Sequence, residues 1–305
     1  MRAEDLKMQE YVGRINRSID YIRSHLTGDL QLETVARAAN FSPYHFHRVF
    51  KAIVGETVLS FVRRTRIQKA ASHLLYNPTL SITEIAISCG YSSPSSFARE
   101  FRRTFEMSAS QFRDGGRTSF QKVRDLFGDR ASAEAMGVGL PAPRQWSDMV
   151  FSVEVVERPE LCVAYVRHQG PYNRIGESFG RLFQWAGPRG LFTPNTEILS
   201  IYYEDPDLTP VELLSSDACM TVPEGTRTDR EIGAMRVPGG LFAAAHVEID
   251  ETQYGEAWDR LLSEWLPQSG YQPDDRLCYE LYRNRPEDHP EKKHILDICE
   301  PIRPL

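Results

Sequence analysis

The feature that most constrains the fold is a doubling in the first third of the chain. Residues 30–54 recur, with changes, as residues 80–105. At a shift of 50, Val35 meets Ile85, Ala36 meets Ala86, Phe41 meets Tyr91 and Ser42 meets Ser92. After the turn the shift is 51, so Phe46 meets Phe97, Arg48 meets Arg99, Phe50 meets Phe101 and Lys51 meets Arg102. One extra residue in the second turn explains the slip. A repeated segment of this size implies a supersecondary unit built twice.

The punctuation inside each copy specifies that unit. A short helix carrying a small residue, Ala36 or Ala86, allows a second helix to approach closely. The turns Asn40-Phe41-Ser42 and Gly90-Tyr91-Ser92 begin with residues that tolerate the left-handed conformation ending a helix. Ser42 and Ser92 or Ser93 can cap the next helix, and Pro43 and Pro94 suit a first helical turn. Helix, tight turn, helix is the expected result.

The second helix of each copy has two faces. Phe46, Val49, Phe50 and Ile53 follow the i, i+3, i+4, i+7 spacing of a buried stripe, as do Phe97, Phe101 and Phe105. The opposite faces carry Tyr44, His47, Arg48 and Lys51 in the first copy, and Ser95, Arg99, Arg102 and Arg103 in the second. Two solvated basic faces are the plain alternative. A doubled unit with matched basic faces points instead to double-stranded DNA. Side chains near the start of each helix would meet base edges, and Lys51 and the later arginines would neutralise phosphate. The segment Thr57–Tyr76 between the copies is helical in pattern, with Leu59, Val62, Ile67, Ala70, Ala71 and Leu74 able to face inwards. It would hold two recognition helices apart so that they enter successive major grooves, and Arg63, Arg64 and Arg66 on it are expected to be structural or solvated.

Charge divides the chain in the same sense. Residues 1–113 hold 16 Lys+Arg against 10 Asp+Glu, a net +6, and the rest hold 20 against 32, a net −12. Only the first part has the sign to meet a polyanion. With 305 residues the chain is long enough for about two domains. No apolar run approaches the ~20 residues of a membrane span, and the charged N-terminus lacks a signal core, so a cytoplasmic protein without membrane contact is expected. The five cysteines contain no C-x-x-C pair, which argues against a zinc ribbon or disulfide framework. No cofactor is expected.

Residues 12–113 resemble the DNA-binding domain of the AraC/XylS family of bacterial transcription regulators. The resemblance rests on Gly90-Tyr91, Pro94, Phe97, Arg99, Phe101 and Phe105, closing with Ser110-Gln111-Phe112-Arg113. Glu106 stands where that family usually has glycine, and Val58 and Ala109 where it has proline. The resemblance places Tyr44, His47, Arg48, Ser95 and Arg99 at base-contacting positions.

The domain plan is thus an all-α DNA-binding domain over 1–113, a linker over 114–147 with a short helix around Ser119–Phe127, and a second domain over 148–305. From Phe151 the periodicity changes to strand alternation. Strands are expected at Phe151–Glu157, Leu161–Arg167, Glu197–Tyr203 and Asp217–Val222, with a helix over Asn173–Gly187. The order recurs with strands at Ile232–Val237, Gly240–Ile249, Leu277–Tyr282 and His294–Glu300 and a helix over Tyr254–Leu266. Two strand–helix–strand–strand sets predict an α+β domain with pseudo-twofold symmetry and a cleft suited to a ligand.

Glu280 sits among aromatic residues. By alternation Cys278, Glu280 and Tyr282 share one face of their strand, and Tyr279 and Leu281 the other. A carboxylate among rings suits an organic cation, although a solvated Glu280 would satisfy the same pattern. His168-Gln-Gly170-Pro171-Tyr172, Trp185-Ala186, Tyr279-Glu280-Leu281-Tyr282 and Asp297-Ile-Cys-Glu-Pro301 resemble the GyrI-like effector-binding domain. That resemblance implies a ligand pocket at Glu280, for which Tyr165, Tyr172, Trp185, Tyr202, Phe242 and Tyr282 are the candidate walls. The whole order, reader first and GyrI-like domain second, is similar to Rob-type regulators. It implies a transcription activator that senses a small cationic or aromatic effector and works with RNA polymerase. Two alternatives stay open for the second domain: a small-molecule hydrolase using Glu280 with Tyr172 or Tyr202, or a module that sequesters another protein.

Overall fold

The computed structural model describes residues 3–115, 147, 149–206 and 208–305, with the side chains of residues 3–7 and Tyr44 left out. The linker helix expected around Ser119–Phe127 lies outside the described residues. The chain divides into two compact units, one of Met1–Phe127 with Glu204–Leu213 and Arg227–Gly233, the other of Gly128–Tyr203, Leu214–Thr226 and Ala234–Leu305. Among the described residues no helix is long and apolar enough to cross a membrane.

The first unit is helical: α1 (Ala3–Ser24), α2 (Leu32–Ala38), α3 (Pro43–Val54), α4 (Val58–Tyr76), α5 (Ile82–Ser88), α6 (Pro94–Phe105) and α7 (Ala109–Gly115). Helices α2–α3 and α5–α6 are the two expected helix-turn-helix units. Asn40 and Gly90, at the two turns, both have positive φ, 54° and 83°. Ser93 caps α6 by accepting a hydrogen bond from the Ser96 backbone N–H, whereas Ser42 stands at the start of α3 without a side-chain cap.

Each helix-turn-helix has its own core, and α4 serves both. Val58, Phe61 and Val62 join Val35, Ala36, Phe46 and Phe50 around the first unit's Ile15, Ile19 and Ile22. Further along α4, Ile67, Ala70, Ala71 and Leu74 join Ile85, Ala86, Phe97, Phe101 and Phe105. Burial therefore shifts from one side of α4 to another along its length. Leu59, expected inside, is 59% exposed because it follows buried Val58 by one residue, about 100° around the helix, and so lies off the stripe of Val58, Phe61 and Val62. Arg66 donates from Nε and Nη2 to the carbonyls of Leu26 and Gly28, 2.8 and 2.9 Å away, and so fastens the end of α1 to α4. Arg64 donates to Glu56 at 2.8 Å. Two of the three α4 arginines are therefore structural, and Arg63 is exposed.

Two loops encoded in the second half belong to this first unit. Leu208 is buried in the second helix-turn-helix core. Gln68 on α4 donates to the Thr209 hydroxyl at 2.6 Å, and Arg23 on α1 donates to Glu204 at 2.9 Å. At Gly13 on α1 a Cβ would run into the Arg230 carbonyl oxygen, so only glycine allows that approach.

Among the described residues the second unit is a nine-stranded sheet with two α-helices: β1 (Val150–Arg158), β2 (Leu161–Gln169), α8 (Gly176–Ala186), β3 (Ile198–Tyr202), β4 (Ser215–Thr221), β5 (Gly233–Val237), β6 (Gly240–Ile249), α9 (Tyr254–Arg260), β7 (Tyr271–Pro273), β8 (Tyr279–Tyr282) and β9 (His294–Pro304). The strand order is β1-β6-β9-β8-β3-β4-β2-β5, with β7 added on β9. Exchanging β1 with β5, β2 with β6, β3 with β8 and β4 with β9 reverses that order and leaves it otherwise unchanged. The two sets are thus related by a twofold pseudo-axis through the β3·β8 pair. The sequence carries the same relation at a spacing of 80: Trp185 and Trp265, Gly190 and Gly270, Tyr202 and Tyr282, Asp217 and Asp297, Cys219 and Cys299. Beyond α9 the helix continues as a π turn, Leu261–Trp265, whose wider winding absorbs one residue. Buried Leu182 and Leu261 are accordingly 79 apart.

The expected strands all form. The three-residue β7 is an addition, unmarked in sequence because it is short and contains Pro273. Asp217 and Asp297 are anchored alike. Asp217 accepts a bidentate pair from Arg167 at 2.9 and 2.8 Å and a bond from the Tyr203 hydroxyl at 2.6 Å. Asp297 pairs with His246 at 2.9 Å and accepts from Arg283 Nε at 2.8 Å.

Candidate effector site and DNA-reading faces

The pseudo-axis positions the site. In the β3·β8 register Ser200 lies opposite Glu280. Antiparallel pairing then brings the two related tyrosines, Tyr202 and Tyr282, to either side of this pair. Both donate to Glu280 Oε2, Tyr202 at 2.8 Å and Tyr282 at 3.0 Å. Trp258 on α9 donates its indole N–H to Oε1 at 2.8 Å. The Tyr282 hydroxyl also lies 3.0 Å from the Ser200 hydroxyl.

Rings enclose this cluster from both helices. Tyr172 packs edge-on to Tyr202 at 4.8 Å between centroids, and Phe179 on α8 packs edge-on to Tyr282 at 5.9 Å. Trp258 and Phe179 are 79 positions apart, the spacing of the helices before the π turn, and they meet the related tyrosines Tyr202 and Tyr282. The cage is therefore itself nearly twofold, and its one charged member is Glu280.

Burial governs the electrostatics. Glu280 is 2% exposed. Desolvation raises its pKa above the ordinary carboxylate value, against the opposing pull of the Trp258, Tyr202 and Tyr282 hydrogen bonds. Burial and the neighbouring Glu280 charge likewise raise the phenolic pKa values of Tyr202 and Tyr282, which keeps both as donors. The arrangement is a buried carboxylate whose ionised form is favoured by an added cation, inside walls whose ring faces also attract cations.

The site collects part of the expected set. Glu280, Tyr172, Tyr202 and Tyr282 lie together in the structure. Tyr165 and Phe242 do not join them: both pack with Tyr279 on the opposite face of the sheet, where successive residues of β8 must point away from each other. Trp185 is buried at the end of α8, with the Arg189 guanidinium 4.9 Å over its ring. Trp258 and Phe179 are missing from the sequence-based set. Their relation to each other through the repeat is the signal that could have found them.

On the first unit, the polar faces of α3 and α6 are open. His47, Arg48 and Lys51 are exposed on α3, and Ser95, Arg99, Arg102 and Arg103 on α6. Tyr44 lies in α3, its side chain outside the described residues. Arg103 is tied to Glu100 one turn back, which holds its head along the helix.

Known proteins match both units. A GyrI-like small molecule binding domain family matches residues 151–303, and a helix-turn-helix domain family matches residues 35–115. DNA gyrase inhibitor 2 of Dickeya dadantii (strain 3937) is 34% identical over 128 residues, covering 41% of this chain and 80% of that protein. An uncharacterized HTH-type transcriptional regulator, YbfP of Bacillus subtilis (strain 168), is 33% identical over 103 residues, covering 34% of this chain and 35% of its own. The crystal structure of the DNA-binding domain of AdpA, a global transcriptional factor, in complex with a target DNA is 27% identical, covers 34% of this chain and 93% of that one, and has a TM-score of 0.32. The chain belongs to the GyrI-like family, with its small-molecule-binding domain preceded by an AraC-type helix-turn-helix DNA-binding domain.

Proposed function

We propose that this protein is a transcription activator of the cytoplasm that reads duplex DNA through α3 and α6 and is set by an organic cation bound at Glu280. The observation that carries the effector reading is the buried carboxylate whose described partners are two tyrosine hydroxyls and an indole. A cation entering the cage gains the charge of Glu280 and the ring faces of Tyr172, Tyr202, Tyr282 and Trp258. Nothing in that chemistry requires turnover, and we assign the site to binding.

On the DNA side, Tyr44, His47, Arg48, Ser95 and Arg99 are assigned to base edges. Lys51, Arg102 and Arg103 are assigned to phosphates. Activation would run through contact with RNA polymerase at the bound promoter. An effector changes activity only if it binds two states of the protein with different affinity.

Calorimetric titration of the full chain with butyltrimethylammonium tests the effector reading. Binding by the wild type that falls at least about tenfold in Glu280→Gln supports it, in line with the worth of a desolvated charge contact. Equal binding by the two proteins overturns it. For the DNA side, duplexes selected from a random pool by the full chain should share one sequence, and a pool without a common sequence would reject specific reading.

A further inference from the structure

Helix α8 carries more aromatic surface than its packing requires. Its buried face is Ser178, Leu182, Trp185 and Ala186. Phe179 and Phe183 each follow a buried residue, Ser178 and Leu182, by one position, so each stands about 100° around the helix from that residue. Phe183 is 36% exposed, and Phe192, just beyond the helix, is 46% exposed.

These rings form a continuous line to the cage. Phe192 meets Phe183 at 5.5 Å between centroids, Phe183 meets Phe179 at 5.7 Å, and Phe179 meets Tyr282 at 5.9 Å. Tyr282 in turn donates to Glu280 at 3.0 Å. Exposure falls along the line from the surface to the 2% exposed carboxylate.

The other half of the repeat ends this line differently. The counterparts of Phe179 and Phe183, 79 positions on, are Trp258 and Leu262. The counterpart of Phe192, 80 positions on, is Gln272. Gln272 is buried in β7, and its side-chain amide donates to the Pro304 carbonyl. A strand thus closes the second half where the first half leaves two phenylalanines in water. The shared fold does not account for the open end.

We propose that Phe179, Phe183 and Phe192 extend the effector site and hold the apolar tail of a cationic amphiphile whose head group sits at Glu280. The inference rests on the cation reading of Glu280 and adds the tail. The charge sits at the buried end of the strip and the apolar surface at the open end. That polarity matches an amphiphile entering head first. Each methylene of a tail laid along the rings should tighten binding roughly fourfold while it remains in contact.

The test compares butyltrimethylammonium with dodecyltrimethylammonium, below its micelle concentration, by calorimetric titration of the full chain. The longer chain should bind the wild type at least about 100-fold more tightly. Phe183→Ser/Phe192→Ser should reduce that advantage at least about tenfold and leave the butyl probe within about twofold of wild type. Phe192→Ser alone, at an exposed position after the helix, should show part of the same selective loss. Glu280→Gln should weaken both probes. If butyltrimethylammonium binds the wild type through Glu280 but the long tail adds nothing, or if the double variant keeps the full advantage, the tail strip is wrong while the cation site stands. Equal losses for both probes in both phenylalanine variants would also overturn the strip. If the butyl probe fails to bind the wild type, the cation reading itself falls, and the strip falls with it.

Discussion

Ser200 and Glu280 are cross-strand partners on β3 and β8, and they are also counterparts 80 positions apart in the repeat. Both facts place the pair on the pseudo-axis. One half contributes a hydroxyl where the other contributes a carboxylate, within a cage whose tyrosines are otherwise matched. A single charge on the axis avoids the repulsion that two facing carboxylates would create.

That relationship predicts the effect of restoring the symmetry. Ser200→Asp should destabilise the protein more than the neutral isostere Ser200→Asn. The difference should be about 1 kcal/mol or more at pH 8, because like charges directly opposite in a strand pair repel. The difference should shrink at pH 4, where protonation removes one charge. Thermal melts of both variants at the two pH values decide the matter, and equal stability at pH 8 would remove Ser200 from the axis.

Glu300 on β9 gives a separate pH dependence. Glu300 is half-buried. Desolvation, then the charge of Asp274, pushes its pKa up to about 8. The folded state therefore retains a proton that the unfolded chain releases near its ordinary value of 4.5. The stability from this group is fully present below that value and is lost as pH rises towards about 8. Glu300→Gln, which cannot ionise, should gain in melting temperature relative to wild type between pH 5 and pH 8. A difference between the two proteins that stays flat over this range would show that the carboxyl is solvated.

Two glycines with similar backbone angles should respond very differently to alanine. Gly55 has φ +86° and open space where a Cβ would be. Gly90 has φ +83°, but its Cβ would lie 2.6 Å from the Leu26 carbonyl oxygen and 2.9 Å from Arg66 Nε. Gly55→Ala should cost about 1 kcal/mol, the price of a left-handed alanine. Gly90→Ala adds a backbone clash at the junction Arg66 holds together, and should cost at least about 2 kcal/mol. Chemical denaturation of the full chain measures both. In the opposite direction, Glu106 has φ 56° at the end of α6, so Glu106→Gly should add about 1 kcal/mol.

These cases show what the sequence makes legible. The doubled helix-turn-helix could be read because turn residues and the 3.6-residue stripe are local signals. Alternation on β8 likewise separates Glu280 and Tyr282 from Tyr279 and Leu281. It does not say which face of β2 or β6 joins them, and Tyr165 and Phe242 fall on the far side for that reason. Leu59 and the loops at Glu204–Leu213 and Arg227–Gly233 depend on packing across long sequence separations, which no local pattern encodes. The spacing of 80 does lie in the sequence, but its matches are sparse, and strand pairing is needed to give them meaning.

The two reading helices make a prediction that separates base contact from phosphate contact. Arg99 is exposed on α6 and, with Arg48 as its counterpart on α3, projects from the middle of its helix. Lys51 is exposed one turn further along α3. Arg99→Ala should cost about 1–3 kcal/mol on the selected duplex and relax preference at one base pair. Lys51→Ala should weaken all duplexes nearly equally and lower the salt dependence of binding by about one unit of slope. Fluorescence anisotropy across a salt series, on the selected duplex and on scrambled DNA, reads both effects. A uniform loss in Arg99→Ala would move that residue to the phosphate set. A base-selective loss in Lys51→Ala would place the lysine deeper in the groove than its position on α3 suggests.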